Sequence, residues 1–487
     1  MDRTGIAVLI YLFLILPSLV YSQTTITLDR AINTALHRTD RGEMIKANLE
    51  VAEQNYFARR INFYLPEISI KGSVPAYSVD ESYRFFGGST QKQLYKTRDL
   101  GVNTFIELKQ ALLTGGDVVI TANLLASEDR YPNTRTTTED FIEEITRRGY
   151  FTFRFTQPIL KPSESKNNLR ETGIEYDIAK IARIEEEIAL EKEVIEEYIG
   201  VLQLTAKTRM QEDKYEAAVI QAAVDSVKQR DGVISEEEWL ISASERLDAE
   251  LSLFDIQTDL SEKKRALAIL LDRDVDEELH LIEPTVEEHL TEQQKGAYSN
   301  SWNESLPIKK ADLEYKRAKR QADYQASGHG LTGDLTADYS TGQGEVKTDG
   351  VVEDINTRGW GISLNLSYPI WDGGSSSAAL KAARIQAEQA KLEYNRAKQQ
   401  ARAEIVDLLN NLDVSYRRLD IMRQQIELAY QRVRIAEGRF SDGQISKREL
   451  LETKVTHLEA RDKYLEELKT YLTSKVDLEG KFAHLDN

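Results

Sequence analysis

The chain is 487 residues long, 30% charged and 41% hydrophobic, and its 81 acidic and 63 basic residues leave a net charge of −18. That sign excludes a phosphate-backbone binder, which needs a basic face, so no nucleic acid partner is expected. The absence of cysteine excludes disulfide frameworks, thiolate metal sites, a cysteine nucleophile and a lipid-modified N-terminal cysteine.

The first element is a predicted leader. Asp2 and Arg3 precede an apolar run from Ile6 to Leu16, broken by Pro17 and followed by Val20-Tyr21-Ser22. A basic start, a short apolar centre and a cut after Ser22 describe a secretory signal peptide over residues 1–22. The mature chain is expected to start near Gln23 and to work outside the cytoplasm.

The remainder reads as two copies of one unit. Phe151–Leu160 matches Ile362–Trp371, with Pro158 over Pro369 at an offset of 211 (369 − 158). Asp231-Gly232-Val233-Ile234-Ser235 matches Asp442-Gly443-Gln444-Ile445-Ser446 at the same offset (442 − 231 = 211). Lys46-Ala47 matches Lys310-Ala311 at an offset of 264, so the first copy carries 53 extra residues (264 − 211) before its Pro158 strand. The expected boundaries are 23–272 for the first repeat, with an inserted hairpin about 75–149, then a linker 273–291 and a second repeat 292–487.

Each copy opens with an amphipathic helix, about 28–62 and about 292–327. Period-2 alternation follows, then a very long helix, a tight turn (231–233 and 442–444) and a returning helix. Ile174, Ile178, Ile181, Ile184, Ile188, Ile195 and Ile199 in the first long segment are spaced as in coiled coils. Leu380, Ala383, Ala387, Ala390, Tyr394, Ala397, Ala401 and Ile405 do the same in the second. A helix of roughly 70 residues reaches ~100 Å, about three membrane thicknesses, and a rod of that length calls for self-association.

Trp360, Ile362, Leu364, Leu366 and Tyr368 alternate with Gly361, Ser363, Asn365 and Ser367, and Phe151, Phe153 and Phe155 alternate with Thr152, Arg154 and Thr156. One apolar and one polar face fits a half-buried strand, or equally a barrel strand with lipid outside and water inside. Trp360 lies at one end of its segment and Tyr368 and Trp371 at the other, where interfacial aromatics sit. Arg154 on the polar face suits a water-filled lumen. In the insertion, Leu113-Thr114-Gly115-Gly116 reads as a turn joining two further strands.

The junctions Gln157-Pro158-Ile159-Leu160 and Tyr368-Pro369-Ile370-Trp371-Asp372-Gly373-Gly374, with the tip Arg439-Phe440-Ser441-Asp442-Gly443-Gln444-Ile445-Ser446, resemble the TolC-like outer membrane efflux proteins. The resemblance implies an α+β, mainly α fold: long antiparallel helical hairpins in a coiled-coil tunnel, and strands given to a shared trimeric transmembrane β-barrel. It implies a homotrimer set in outer membrane lipid, four strands per copy, acting as the passive exit duct of a tripartite efflux or type I secretion system. The tips Asp231, Gly232, Val233, Asp442, Gly443 and Gln444 would contact a periplasmic adaptor (membrane fusion) protein linked to an inner membrane transporter.

Several relatives narrow the tunnel with acidic residues before the second tip, where this chain has Gln431 and Arg434, with Glu437 one turn closer. These three are the constriction candidates. Gly328-His329-Gly330-Leu331-Thr332-Gly333 has the GxGxxG spacing, but it follows a helix and opens a strand, the reverse of a dinucleotide site, so it reads as a helix stop. Glu185–Glu187, Glu191, Glu193, Glu196 and Glu197 read as a solvated helix face or an acidic tunnel lining. No catalytic constellation stands out, and no enzyme activity, cofactor or metal is expected. The rival expectation is a periplasmic coiled-coil adaptor or scaffold without a barrel.

Overall fold

A computed structural model describes residues 25–85, 92–132, 141–286 and 289–483. The expected leader, 1–22, lies outside them. The first repeat comprises β1 (Thr25–Ile26), α1 (Leu28–Arg38), α2 (Asp40–Tyr64), β2 (Glu67–Phe85), β3 (Lys92–Ala111), β4 (Asp117–Pro132), β5 (Phe141–Pro158), α3 (Glu164–Arg230) and α4 (Glu236–Leu270). After β6 (His280–Leu281) come α5 (Glu292–Asn300), a 3₁₀ turn (Trp302–Glu304), α6 (Leu306–Gly328), β7 (Thr332–Thr348), β8 (Val351–Ser367), α7 (Ser375–Ser441) and α8 (Lys447–Lys481).

Each opening helix, expected to be continuous, is broken. Between α1 and α2 the Thr39 hydroxyl donates to the Ala35 carbonyl at 2.7 Å and accepts from Gly42 N–H at 3.2 Å, so one side chain ends one helix and caps the next. In the second copy Pro307 stands at the second position of α6, where its missing N–H costs nothing and its ring favours a fresh start.

α3 and α7 each run 67 residues, ~100 Å at the usual rise. The chain divides into two compact units: Asn48–Ala182 with Pro307–Gln399, and the remaining segments. The first holds the large sheet, with α2 stacked on α3 through Tyr56 and Tyr176 (5.7 Å) and α6 on α7 through Tyr315 and Tyr394 (6.3 Å).

The other unit holds the main apolar core. Of the predicted stripes, Ile195, Ile199, Ala401 and Ile405 are almost fully buried there, and Ile181 is buried in the unit with the sheet. Tyr198 is completely buried; its hydroxyl lies 2.6 Å from the carbonyls of Ile26 and Ile282 and accepts from Ile282 N–H at 3.0 Å. That fastens the parallel β1–β6 pair to α3, and burial pushes the phenol up to about 12. Losing a buried bridge of this kind costs ~1–3 kcal/mol. α8 returns antiparallel to α3 under a ladder of ion pairs, Lys192–Asp477 at 2.8 Å, Lys207–Asp462 at 3.6 Å and Lys214–Glu459 at 3.7 Å. Half-exposed pairs contribute ~0–1 kcal/mol each, so the ladder sets register more than stability. Apolar contact does the holding: a Cβ on Gly480 of α8 would meet Ile188 Cδ1 of α3 at 2.2 Å.

Part of the acidic cluster on α3 is paired with neighbouring side chains. Glu187 pairs with Arg183, Glu193 with Arg41 and Glu197 with Lys263, while burial and then Glu479 push the Glu191 carboxyl up. Among the described residues no helix is long and apolar enough to cross a membrane.

Candidate functional site

The sheet is six-stranded and antiparallel, in the order β2-β3-β4-β5-β7-β8. Four strands come from the first repeat and two from the second, so the inserted segment adds two strands to the four implied by the resemblance. The Leu113–Gly116 turn lies where the sequence puts it: Leu112 N–H donates to the Gly116 carbonyl at 2.8 Å between β3 and β4. β2 pairs only with β3 and β8 only with β7, so among the described residues both outer edges are open.

The register draws one apolar row across every strand: Ile68, Leu108, Ile120, Phe153, Tyr339 and Trp360 face each other in turn. The adjacent row on the opposite face is Glu67, Lys109, Val119, Arg154, Asp338 and Gly361. Arg154, predicted to face a lumen, stands directly opposite Asp338 on that polar side. Asn123, on the polar face, is 8% exposed, whereas its neighbour Leu124, on the apolar face, is 67% exposed. The apolar face is open, with Trp360 77% and Ile362 67% exposed.

The predicted strands are longer than their alternation. β5 starts at Phe141 rather than near Phe151, and β8 at Val351, so Trp360 sits in mid-strand instead of at its end. The added stretch of β8, Val351 to Gly359, carries its apolar residues Val351, Val352 and Ile355 on both faces and therefore leaves no period-2 pattern. Trp360 still marks where the apolar face begins. Tyr368 and Trp371 are exposed just past the other end of β8.

At the strand-to-helix junctions, Pro158 ends β5, and the next residue, Ile159, donates to the Gly333 carbonyl at 2.9 Å. Beyond Pro369, Gly373 and Gly374 both take positive φ, 70° and 86°. Asp372 accepts from Ser376 N–H and Gly374 N–H, each at 2.9 Å, and those amides hold its carboxyl below the usual range. The pair of glycines is thus the swivel that lets Asp372 cap α7.

The two tips are built alike. Gly232 N–H reaches the Gln229 carbonyl (3.1 Å) and Val233 N–H that of Lys228 (2.8 Å); Gly443 reaches Phe440 (3.0 Å) and Gln444 reaches Arg439 (2.8 Å). This is the Schellman ending, with Asp231 and Asp442 as the last cap residues and a left-handed glycine next. Ser235 then caps α4 through Glu238 N–H, and Ser446 caps α8 through Glu449 N–H, both at 3.2 Å.

Gln431, Arg434 and Glu437 are all exposed on α7, beside the buried Val433 and Ala436. Gln431 donates to Glu427 (3.1 Å) and Glu437 pairs with Lys454 (3.4 Å), whereas Arg434 has no ion-pair partner among the described residues.

Two features escape a reading for single motifs. Val414, Ile421, Leu428 and Ile435 recur every seven residues on α7 and are 46–63% exposed. Leu240, Leu247, Leu251 and Phe254 form a second open stripe on α4, 53–68% exposed. Heptad counting could have found them, but only burial separates a stripe that is satisfied within the chain from one that is not. The other is Asp413, which gathers Lys295 (2.7 Å), His289 (2.8 Å) and Arg417 (3.0 Å); the hydrogen bonds from Lys295 and His289 pull its carboxyl down to about 2.

Residues 297–480 match the family model for outer membrane efflux proteins. No curated protein matches the chain. Among solved structures, the Campylobacter jejuni CmeC outer membrane channel is 13% identical, with a TM-score of 0.61 over 93% of this chain and 85% of that one. The Vibrio cholerae outer membrane protein VceC is 16% identical, TM-score 0.56, covering 94% and 97%. The open state of the Neisseria gonorrhoeae MtrE outer membrane channel is 15% identical, TM-score 0.54, covering 93% and 88%. The fold of this chain is that of these channels.

Proposed function

We propose that this chain, an outer membrane efflux protein by its matched second repeat and its channel fold, is a passive exit duct set in the outer membrane. The observation that carries the reading is the sheet: a row of six lipid-compatible side chains, Ile68 to Trp360, on one face, and a polar row that holds Arg154 and Asp338 on the other. A sheet with open edges cannot sit in hydrocarbon, because each unpaired N–H and C=O there costs several kcal/mol. Closure by further copies removes the edges. The open heptad stripes of α4 and α7 ask for the same partner, and a homotrimer satisfies both.

Conduction needs no chemistry. The duct offers a hydrated path, and its driving force comes from an inner membrane transporter reached through a periplasmic adaptor at the tips Asp231–Val233 and Asp442–Gln444. Arg434, exposed and without an ion-pair partner among the described residues, one turn from Glu437, would set the charge of the narrowed mouth, with the glycine tips as the places where helix pairs pivot. Trp360 on one side and Tyr368 and Trp371 on the other would sit at the two membrane interfaces. A coiled-coil scaffold confined to the periplasm accounts for the helices but leaves an exposed apolar face on six strands.

Fractionation of cells that make the protein tests the reading. A heat-modifiable oligomer in the outer membrane fraction is the expected result; a soluble monomer would overturn it.

A further inference from the structure

We infer that the β3–β4 hairpin is part of the barrel wall rather than an external cap, so that the outer membrane pore is lined by six strands per copy. This deepens the duct reading and rests on it. Strand order is the first ground: β3 and β4 stand between β2 and β5, so nothing else joins the first strand to the fourth. Pairing is continuous from Ala111–Asp117 to Arg98–Arg130 on one side of β4, and from Asp117–Thr156 to Pro132–Phe141 on the other.

The faces agree as well. Leu108 and Ile120 continue the apolar row between Ile68 and Phe153, and Glu107 and Thr121 continue the polar row between Ser69 and Thr152. A cap standing in water would have no use for an apolar face in phase with its neighbours. The periplasmic turn is fixed at the level of the other strand ends. A Cβ on Gly116 would lie 2.3 Å from the Thr156 carbonyl, and one on Gly115 would lie 2.7 Å from Ser163 Cβ at the head of α3.

Tilt supplies an independent check. The row of Glu67, the first residue of β2, meets Gly361 on β8, yet β8 runs six residues further to Ser367 (361 to 367). With strand ends level, that is ~20 Å of slip across ~24 Å of sheet, a tilt of ~40°, within the range of transmembrane barrels. At one tilt, barrel diameter grows in proportion to strand number. Three copies then make a barrel ~1.5 times as wide as one built of four strands per copy. Its wall of Glu107, Lys109, Arg154 and Asp338 suits large hydrated solutes.

The chain has no cysteine, so engineered pairs report cleanly. In the full-length protein in outer membranes, Thr121→Cys with Thr152→Cys places thiols directly opposite each other on β4 and β5. Ser69→Cys with Thr152→Cys spans three strand spacings, ~14 Å, beyond disulfide reach, unless the hairpin is extruded and β2 meets β5. We expect the first disulfide within one chain by peptide mass spectrometry, and not the second. For the wild-type protein in planar bilayers, polyethylene glycols added from the outer face should enter up to a radius ~1.5 times that for a channel with four strands per copy. A 69–152 disulfide, failure of the 121–152 pair to form, or an equal cut-off would overturn the inference alone. A wild-type protein that forms no channel would overturn the duct reading and this inference with it.

Discussion

Gly232 and Gly443, 211 positions apart, share one conformation, φ +72° and +70°, at the turn where a long helix gives way to its return. The duplication therefore reaches down to single dihedrals. Nothing lies within 4 Å of a Cβ built on either glycine, so a substitution there meets only backbone strain.

Gly232→Ala and Gly443→Ala should each destabilise the protein by ~1–2 kcal/mol, the cost of a left-handed conformation with a Cβ. Chemical denaturation checks this. A loss well above that range would mean that the tips carry contacts beyond the turn.

Asp413 predicts an acid dependence. Its carboxyl is held at about 2, below the ordinary 3.8, so it favours the folded state above pH ~4, and that contribution fades as pH falls toward 2. Asp413→Asn should cost roughly 1–2 kcal/mol near pH 7, after solvent screening, with the gap from wild type closing between pH 4 and 2. Denaturation at several pH values measures the gap, and a constant gap would contradict the assignment.

The stripe on α7 predicts assembly. Leu428→Ser with Ile435→Ser should shift the detergent-purified protein from oligomer toward monomer by light scattering, leaving helix content by circular dichroism unchanged. These side chains are open in the single chain, 61% and 63% exposed, so their loss leaves no cavity within it.

Arg434 predicts selectivity. Arg434→Glu should move the reversal potential in a salt gradient toward cation preference. An unchanged potential would remove Arg434 from the conducting path and favour Glu437, which Lys454 already partly neutralises at 3.4 Å.

The long helices, tips and junctions were legible in sequence because each rests on local rules: three/four spacing of apolar residues, and a glycine-bearing turn repeated at one offset. Arg154 was legible too, since alternation alone assigns its face. The six-strand count was not, because nothing local says whether a hairpin joins a sheet or leaves it; the pairing of β4 with β5 decides that. The outer halves of β5 and β8 stayed hidden because their apolar residues, Ile142 and Ile145 in one and Val352 and Ile355 in the other, fall on both faces and do not alternate. Thr39 escaped notice because one threonine side chain ends α1 and caps α2 without interrupting the apolar pattern.

Planar-bilayer recording of the purified wild-type protein tests the central claim most directly. Discrete conductance steps, altered in the Gly443→Ala and Arg434→Glu variants, are the predicted result. A bilayer that stays silent with correctly folded oligomer present would contradict the duct.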